Sequence, residues 1–152
     1  MTRAEGTTRS AALHFDHVAI TVADMDRSVA FYRDLLGCVV LGQLVLDEGR
    51  FKLVYLRRCN AYLELFAHEP PAESAPGASD DAPRLGFQHV AFQTDDVDAA
   101  AAALRAAGVH FTDGPRDAPG GVRLAFFHDP DGNLVELVSN LPELAPYRPD
   151  GG

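Results

Sequence analysis

Two histidines and two glutamates recur in this chain at one spacing, in a combination that suits a shared metal ion. His17 opens His17-Val18-Ala19 and His89 opens His89-Val90-Ala91, where 89 − 17 = 72. Glu64 lies in Leu63-Glu64-Leu65 and Glu136 in Val135-Glu136-Leu137, where 136 − 64 is again 72. Histidine is scarce, six in 152 residues, so an offset shared by a histidine pair and a glutamate pair carries information. Two imidazoles and two carboxylates suit one divalent ion (Zn, Ni, Co, Mn or Fe) and leave positions open for water or substrate. A carboxylate in mid-strand among apolar neighbours is costly to bury unless it is paired, protonated or metal-bound.

The same frame organises the elements that must position these groups. Asp24 and Asp26 recur as Asp96 and Asp98, also 72 residues on, so the chain holds two copies of one folding unit. In the first copy, Phe15 to Val22 reads as a strand and Asp24 as a helix cap. An amphipathic helix follows over Arg27 to Leu36 and ends at Gly37. Strands are expected over Val39 to Val45, Phe51 to Leu56 and Ala61 to Phe66. In the second copy a strand over Phe87 to Gln93 precedes a helix capped by Asp95-Asp96, alanine-rich and ended by Gly108. Strands then follow over Val109 to Thr112, Val122 to Phe127 and Leu134 to Val138, the last two joined by the turn Asp129-Pro130-Asp131-Gly132.

The expected organisation is a tail over 1–12, a βαβββ module over 13–69, and a linker over 70–85 rich in Pro, Ala, Ser and Asp. A second βαβββ module over 86–140 and a tail over 141–152 complete it. Alternation places Tyr62, Glu64 and Phe66 on one face of their strand, with Leu63 and Leu65 on the other. This predicts an α+β fold in which the modules form a curved, eight-stranded, cup-shaped sheet. The helices lie on its convex side and the carboxylates on its concave side. A half of about 55 residues buries little apolar surface alone, so the halves share a core or pair across a homodimer.

Composition narrows the function classes. The net charge is −9 and no basic stripe is present, which argues against nucleic acid and anionic membrane surfaces as partners. No segment approaches the roughly 18 to 20 apolar residues of a membrane span, and Met1 to Ala12 lacks a signal-peptide core. Cys38 and Cys59 stand in no metal or redox spacing and read as reduced thiols of a cytoplasmic protein. The acidity by itself identifies no substrate, because solubility explains it equally well.

The chain resembles the vicinal oxygen chelate superfamily, whose best-known member is glyoxalase I, over about residues 13–139. The resembling segments are Phe15-Asp16-His17-Val18-Ala19-Ile20, Asp26 to Gly37, Leu63-Glu64-Leu65, Gln88-His89-Val90-Ala91-Phe92 and Phe127 to Leu137. The resemblance implies metal ligation by His17, Glu64, His89 and Glu136. In the dioxygenase and fosfomycin-resistance branches it implies only His17, His89 and Glu136, whereas glyoxalase I resembles this chain at all four positions. Where glyoxalase I usually carries a glutathione-contacting Asn, this chain reads Phe66-Ala67-His68. Glu48-Gly49 instead looks like methylmalonyl-CoA epimerase, which has a second acid–base Glu there. The implied function is proton abstraction next to a carbonyl, with the cation stabilising an enediolate or enolate. The enzyme would be a lyase, isomerase or epimerase on a small carbonyl, thiol-adduct or acyl-CoA substrate. Glu136 is implied as the base, with Glu64 or Glu48 serving the opposite face. The same fold also hosts mononuclear iron extradiol dioxygenases and ligand-binding or antibiotic-resistance proteins without turnover.

Overall fold

In the computed structural model, residues 15–71, 86–142 and 144 are described; the tail over 1–12 and most of the linker lie outside them. The first module runs β1 (His17–Thr21), α1 (Met25–Ala30), β2 (Val39–Leu46), β3 (Phe51–Arg58) and β4 (Ala61–His68). The second runs β5 (Val90–Gln93), α2 (Val97–Ala106), β6 (Phe111–Ala118), β7 (Val122–His128) and β8 (Leu134–Val138). Both helices begin where their caps predict. The Asp24 side chain accepts from the Arg27 N–H at 3.0 Å, and Asp96 accepts from the Ala99 N–H at 2.9 Å. The first helix differs from expectation in its second half, where Phe31–Leu35 widens into a π-helical turn that contains the fully buried Tyr32.

Among the described residues, eight strands divide into two four-stranded sheets of the same order, β1-β4-β3-β2 and β5-β8-β7-β6. The pairs β1·β4 and β5·β8 are parallel, and the remaining neighbours are antiparallel. One apolar core joins the modules. Val22, Tyr32, Leu56 and Leu65 of the first form a single cluster with Val97, Ala101, Phe127 and Val135 of the second. The side chains that reach it from the strands are those on the helix-bearing faces, so the opposite faces point away from the shared core. The expected sharing of a core is thus met within one chain.

Strand β6 is longer than the expected Val109 to Thr112, because it continues through Gly114-Pro115. The sequence marks that dipeptide as a breaker, but β6 is an outer strand where a proline costs no ladder bond. Irregular register on both sides of Asp113 accommodates it. Gly114 is required there: its φ is +76° and a Cβ would lie 2.6 Å from the Leu124 carbonyl oxygen. The outer strand of the other sheet, β2, is exposed along its whole length, including Val39, Leu41, Leu44, Val45 and Leu46. Long apolar edges of this kind are association surfaces in stable proteins.

The turn between β7 and β8 ties the modules together, a role that its sequence did not disclose. The buried Tyr32 hydroxyl donates to Asp129 Oδ2 at 2.8 Å, and Ser28 Oγ donates to Asp131 Oδ2 at 3.0 Å. The Ala23 N–H donates to Asp131 Oδ1 at 3.1 Å. Asp129 is itself buried and also accepts from the Asp131 and Asn133 backbone and the Asn133 side chain. Burial, reinforced by the Asp129 charge, pushes the Tyr32 phenol well above its ordinary pKa, so it stays a donor. Asp129→Ala is expected to cost about 3 kcal/mol of stability, because it frees several donors and strands a buried hydroxyl. Tyr32→Phe removes one bond and should cost about 1–2 kcal/mol. Urea denaturation monitored by circular dichroism measures both.

Candidate metal centre

The first half-site follows from the pairing of β1 with β4. Ala19 stands opposite Glu64, so His17 and Glu64 share the face turned away from the core. His17 Nε2 lies 3.2 Å from Glu64 Oε2. The other ring nitrogen of His17, Nδ1, is 2.7 Å from Asp16 Oδ2. That bond, with a smaller contribution from the Glu64 charge, raises the His17 pKa against the opposing effect of desolvation. Across the ladder, Tyr55 pairs with Glu64, and its ring meets His17 edge-on at 5.7 Å. Hydrogen bonding toward the Glu64 carboxylate, with desolvation and the Glu64 charge, raises the Tyr55 phenol above its ordinary pKa.

The second half-site repeats the plan. Ala91 pairs with Glu136, and His89, just before β5, places Nε2 3.0 Å from Glu136 Oε2. Phe126 pairs with Glu136 and meets the His89 ring edge-on at 5.4 Å. The two carboxylates are almost entirely withdrawn from solvent, with side-chain exposures of 8% for Glu64 and 12% for Glu136. Each therefore needs a cationic or hydrogen-bonding partner, and its histidine stands in that place.

The donor set fits a divalent cation. Two ligands bound about 2.1 Å from one ion and roughly at right angles lie about 3 Å apart. The observed Nε2–Oε2 separations of 3.2 and 3.0 Å match that edge. The two pairs do not meet within one chain. Among the described residues no group of three or more His, Cys, Asp or Glu side chains is arranged to hold one ion. The fold supplies the reason: the modules join through their helix-bearing faces, which turns the two histidine–glutamate faces apart. Within one chain the four residues therefore stand as two histidine–glutamate half-sites.

Glu48 is not brought to either half-site. It occupies the tip between β2 and β3, exposed, in the left-handed region at φ 54°. In the ladder, Phe51 at the foot of this tip faces His68, four residues past Glu64 and so about 13 Å farther along β4. His68 itself lies against Phe51, with ring centroids 5.0 Å apart. Cys38 is buried and Cys59 exposed, both free. Asp16 and Tyr55 were not singled out from sequence. Asp16 was detectable, since a carboxylate directly precedes a candidate ligand. Tyr55 was not, because only strand register sets it beside Glu64.

Comparison with known proteins identifies the family. The sequence model of the Glyoxalase/Bleomycin resistance protein/Dioxygenase superfamily matches residues 14–137. The lactoylglutathione lyase of Pseudomonas aeruginosa is 33% identical over 146 residues, covering 82% of this chain and 81% of that protein. The lactoylglutathione lyase of Schizosaccharomyces pombe is 30% identical over 154 residues, and the match covers 88% of this chain but 49% of that protein. The chain thus spans about half the length of the yeast relative and most of the bacterial one. Among solved structures, a glyoxalase family protein from Enterococcus faecalis superposes with a TM-score of 0.70 at 26% identity, covering 83% of this chain and 97% of that one. The trypanothione-dependent glyoxalase I of Leishmania major superposes with a TM-score of 0.65 at 27% identity, covering 84% of this chain and 87% of that one. With the paired βαβββ modules and the duplicated histidine–glutamate pairs, these matches make the chain a member of the Glyoxalase/Bleomycin resistance protein/Dioxygenase superfamily.

Proposed function

We propose that this protein is a metal-dependent, glyoxalase-type lyase or isomerase that acts as a homodimer on a small carbonyl compound presented as a thiol adduct or acyl thioester. The observation that carries this reading is the pair of half-sites, each with an imidazole nitrogen and a carboxylate oxygen about one ligand edge apart. Each complete centre would join His17 and Glu64 of one chain to His89 and Glu136 of the partner subunit. The exposed apolar strand β2 supplies surface for such association. The names of the relatives, lactoylglutathione lyases, favour a thiol adduct of an α-ketoaldehyde over an acyl-CoA. The free thiols Cys38 and Cys59 fit the cytoplasm as the compartment.

A bound divalent ion would polarise the substrate oxygens and stabilise the negative charge that develops on them. The chain's own carboxylates handle the proton. Glu136 takes the α-proton while the C–H electrons move toward the carbonyl, exchanges it with solvent, and delivers a proton to the neighbouring carbon to complete an isomerisation. Glu64 faces the substrate from the other side. Glu48, on its exposed tip, is assigned a turn role within the chain and remains the candidate for a second acid on a larger substrate.

Elemental analysis of the purified protein should find about one Zn, Ni, Co or Mn per chain. With the hemithioacetal of methylglyoxal and a low-molecular-weight thiol, the substrate α-proton should exchange with solvent deuterium during turnover. Oxygen consumption without that exchange would replace this reading with a dioxygenase.

A further inference from the structure

The two half-sites are alike in ligand type and spacing but differ in what stands behind each carboxylate. Opposite Glu64 the ladder places Tyr55 on the same face, with its ring edge-on to His17 and its phenol close enough to be raised by that carboxylate. Opposite Glu136 it places Phe126, whose ring has the same edge-on contact with its histidine but no hydroxyl to donate. His17 is braced as well, with Nδ1 held at 2.7 Å by Asp16, which aims Nε2 at Glu64. The equivalence is hidden at the sequence level. Tyr55 and Phe126 are 126 − 55 = 71 residues apart, one short of the repeat kept by the ligands, so direct alignment sets Tyr55 against Phe127.

Resting on the proposed function, we infer that Tyr55 and Asp16 are positioning residues that make the first half-site the rigid metal anchor, and that Phe126 leaves Glu136 free to exchange ligation for proton transfer. The physical ground is the requirement each carboxylate meets. A ligand that only holds the cation gains from an outer hydrogen bond, which fixes its orientation and saves ordering cost on binding. A base must release the cation and turn toward carbon, so a donor locking its second oxygen would oppose the step. A hydroxyl on one pseudo-equivalent ring and its absence from the other divides the two roles between the half-sites.

The test is a reciprocal pair of variants of the full chain, Tyr55→Phe and Phe126→Tyr, each moving one hydroxyl. Zinc affinity is read by competition with a chromophoric chelator, and the ligand field from the visible spectrum of the cobalt-loaded protein. Tyr55→Phe is expected to weaken zinc binding by roughly 10–100-fold with an unchanged melting temperature of the metal-free protein. Phe126→Tyr should bind zinc at least as tightly as the parent, shift the cobalt spectrum and slow α-proton exchange. Unchanged affinity in Tyr55→Phe overturns this inference and leaves the proposed function standing, as does equal weakening in both variants. A parent protein that binds neither zinc nor cobalt overturns both.

Discussion

Glu136→Gln should lower turnover by roughly 10²–10⁴-fold, the usual worth of a positioned general base, while keeping the fold and most of the metal affinity. The amide is nearly the same size and shape as the carboxylate, so β8 and its pairing with β5 and β7 have no steric reason to change. Its oxygen still ligates, weakly, but no longer accepts a proton. The carboxylate is nearly buried and stands 3.0 Å from His89 Nε2, so its loss also removes a charge that helps hold the ion. Some loss of affinity therefore accompanies the loss of rate, and turnover has to be measured at saturating metal. Glu64→Gln should be milder, because a hydroxyl at the neighbouring Tyr55 can donate to an amide oxygen as well as to a carboxylate. The deciding measurement is substrate α-proton exchange with deuterium oxide, followed by proton NMR in parallel with metal content. Exchange lost in Glu136→Gln and retained in Glu64→Gln supports the assignment. Equal loss in both makes the carboxylates a pair without a division of labour.

The second large effect is complementation between two inactive proteins. His17→Ala destroys the first half-site and His89→Ala the second, so each homodimer should have almost no bound metal and no turnover. If each centre joins the first half-site of one chain to the second of its partner, a mixed dimer holds one centre with both changes and one with neither. Random mixing makes about half of the dimers mixed, each with one of two sites intact, so about a quarter of the parent activity should return. Metal content should recover in the same proportion. Subunit exchange at low protein concentration or coexpression with two affinity tags prepares the mixture. No recovery from a verified heterodimer would mean that a single chain completes its own centre, by a rearrangement of the modules that the shared core resists.

Much of this architecture was legible in the sequence because it depends on local rules. The caps at Asp24 and Asp96 declare themselves, since a short carboxylate before a helical run satisfies otherwise unpaired N–H groups. Alternation in Ala61 to Phe66 correctly put Leu63 and Leu65 in the core and Glu64 on the other face. The 72-residue repeat linked His17 with His89 and Glu64 with Glu136 before any pairing of strands was known. These readings depend on one residue and its near neighbours, or on duplication, and both are written along the chain.

What the tertiary structure decided is where separate stretches meet. Strand register set Tyr55 behind Glu64 and Phe126 behind Glu136, a relation one residue out of step with the repeat. A turn that looked like any Asp-Pro-Asp-Gly connection became the bridge from Asp129 to Tyr32 and from Asp131 to Ser28. Close approach of β6 to β7 made Gly114 necessary and let a strand continue through Gly-Pro. The largest decision was the way the modules face each other. The duplicated histidines and glutamates suggest one shared site, but the same apolar pattern that builds each module allows its halves to join with their carboxylate faces together or apart. One shared core under the helices selected the second arrangement. Burial of apolar surface is non-directional, so sequence singled out the candidate residues, and only packing determined which of them one chain could bring together.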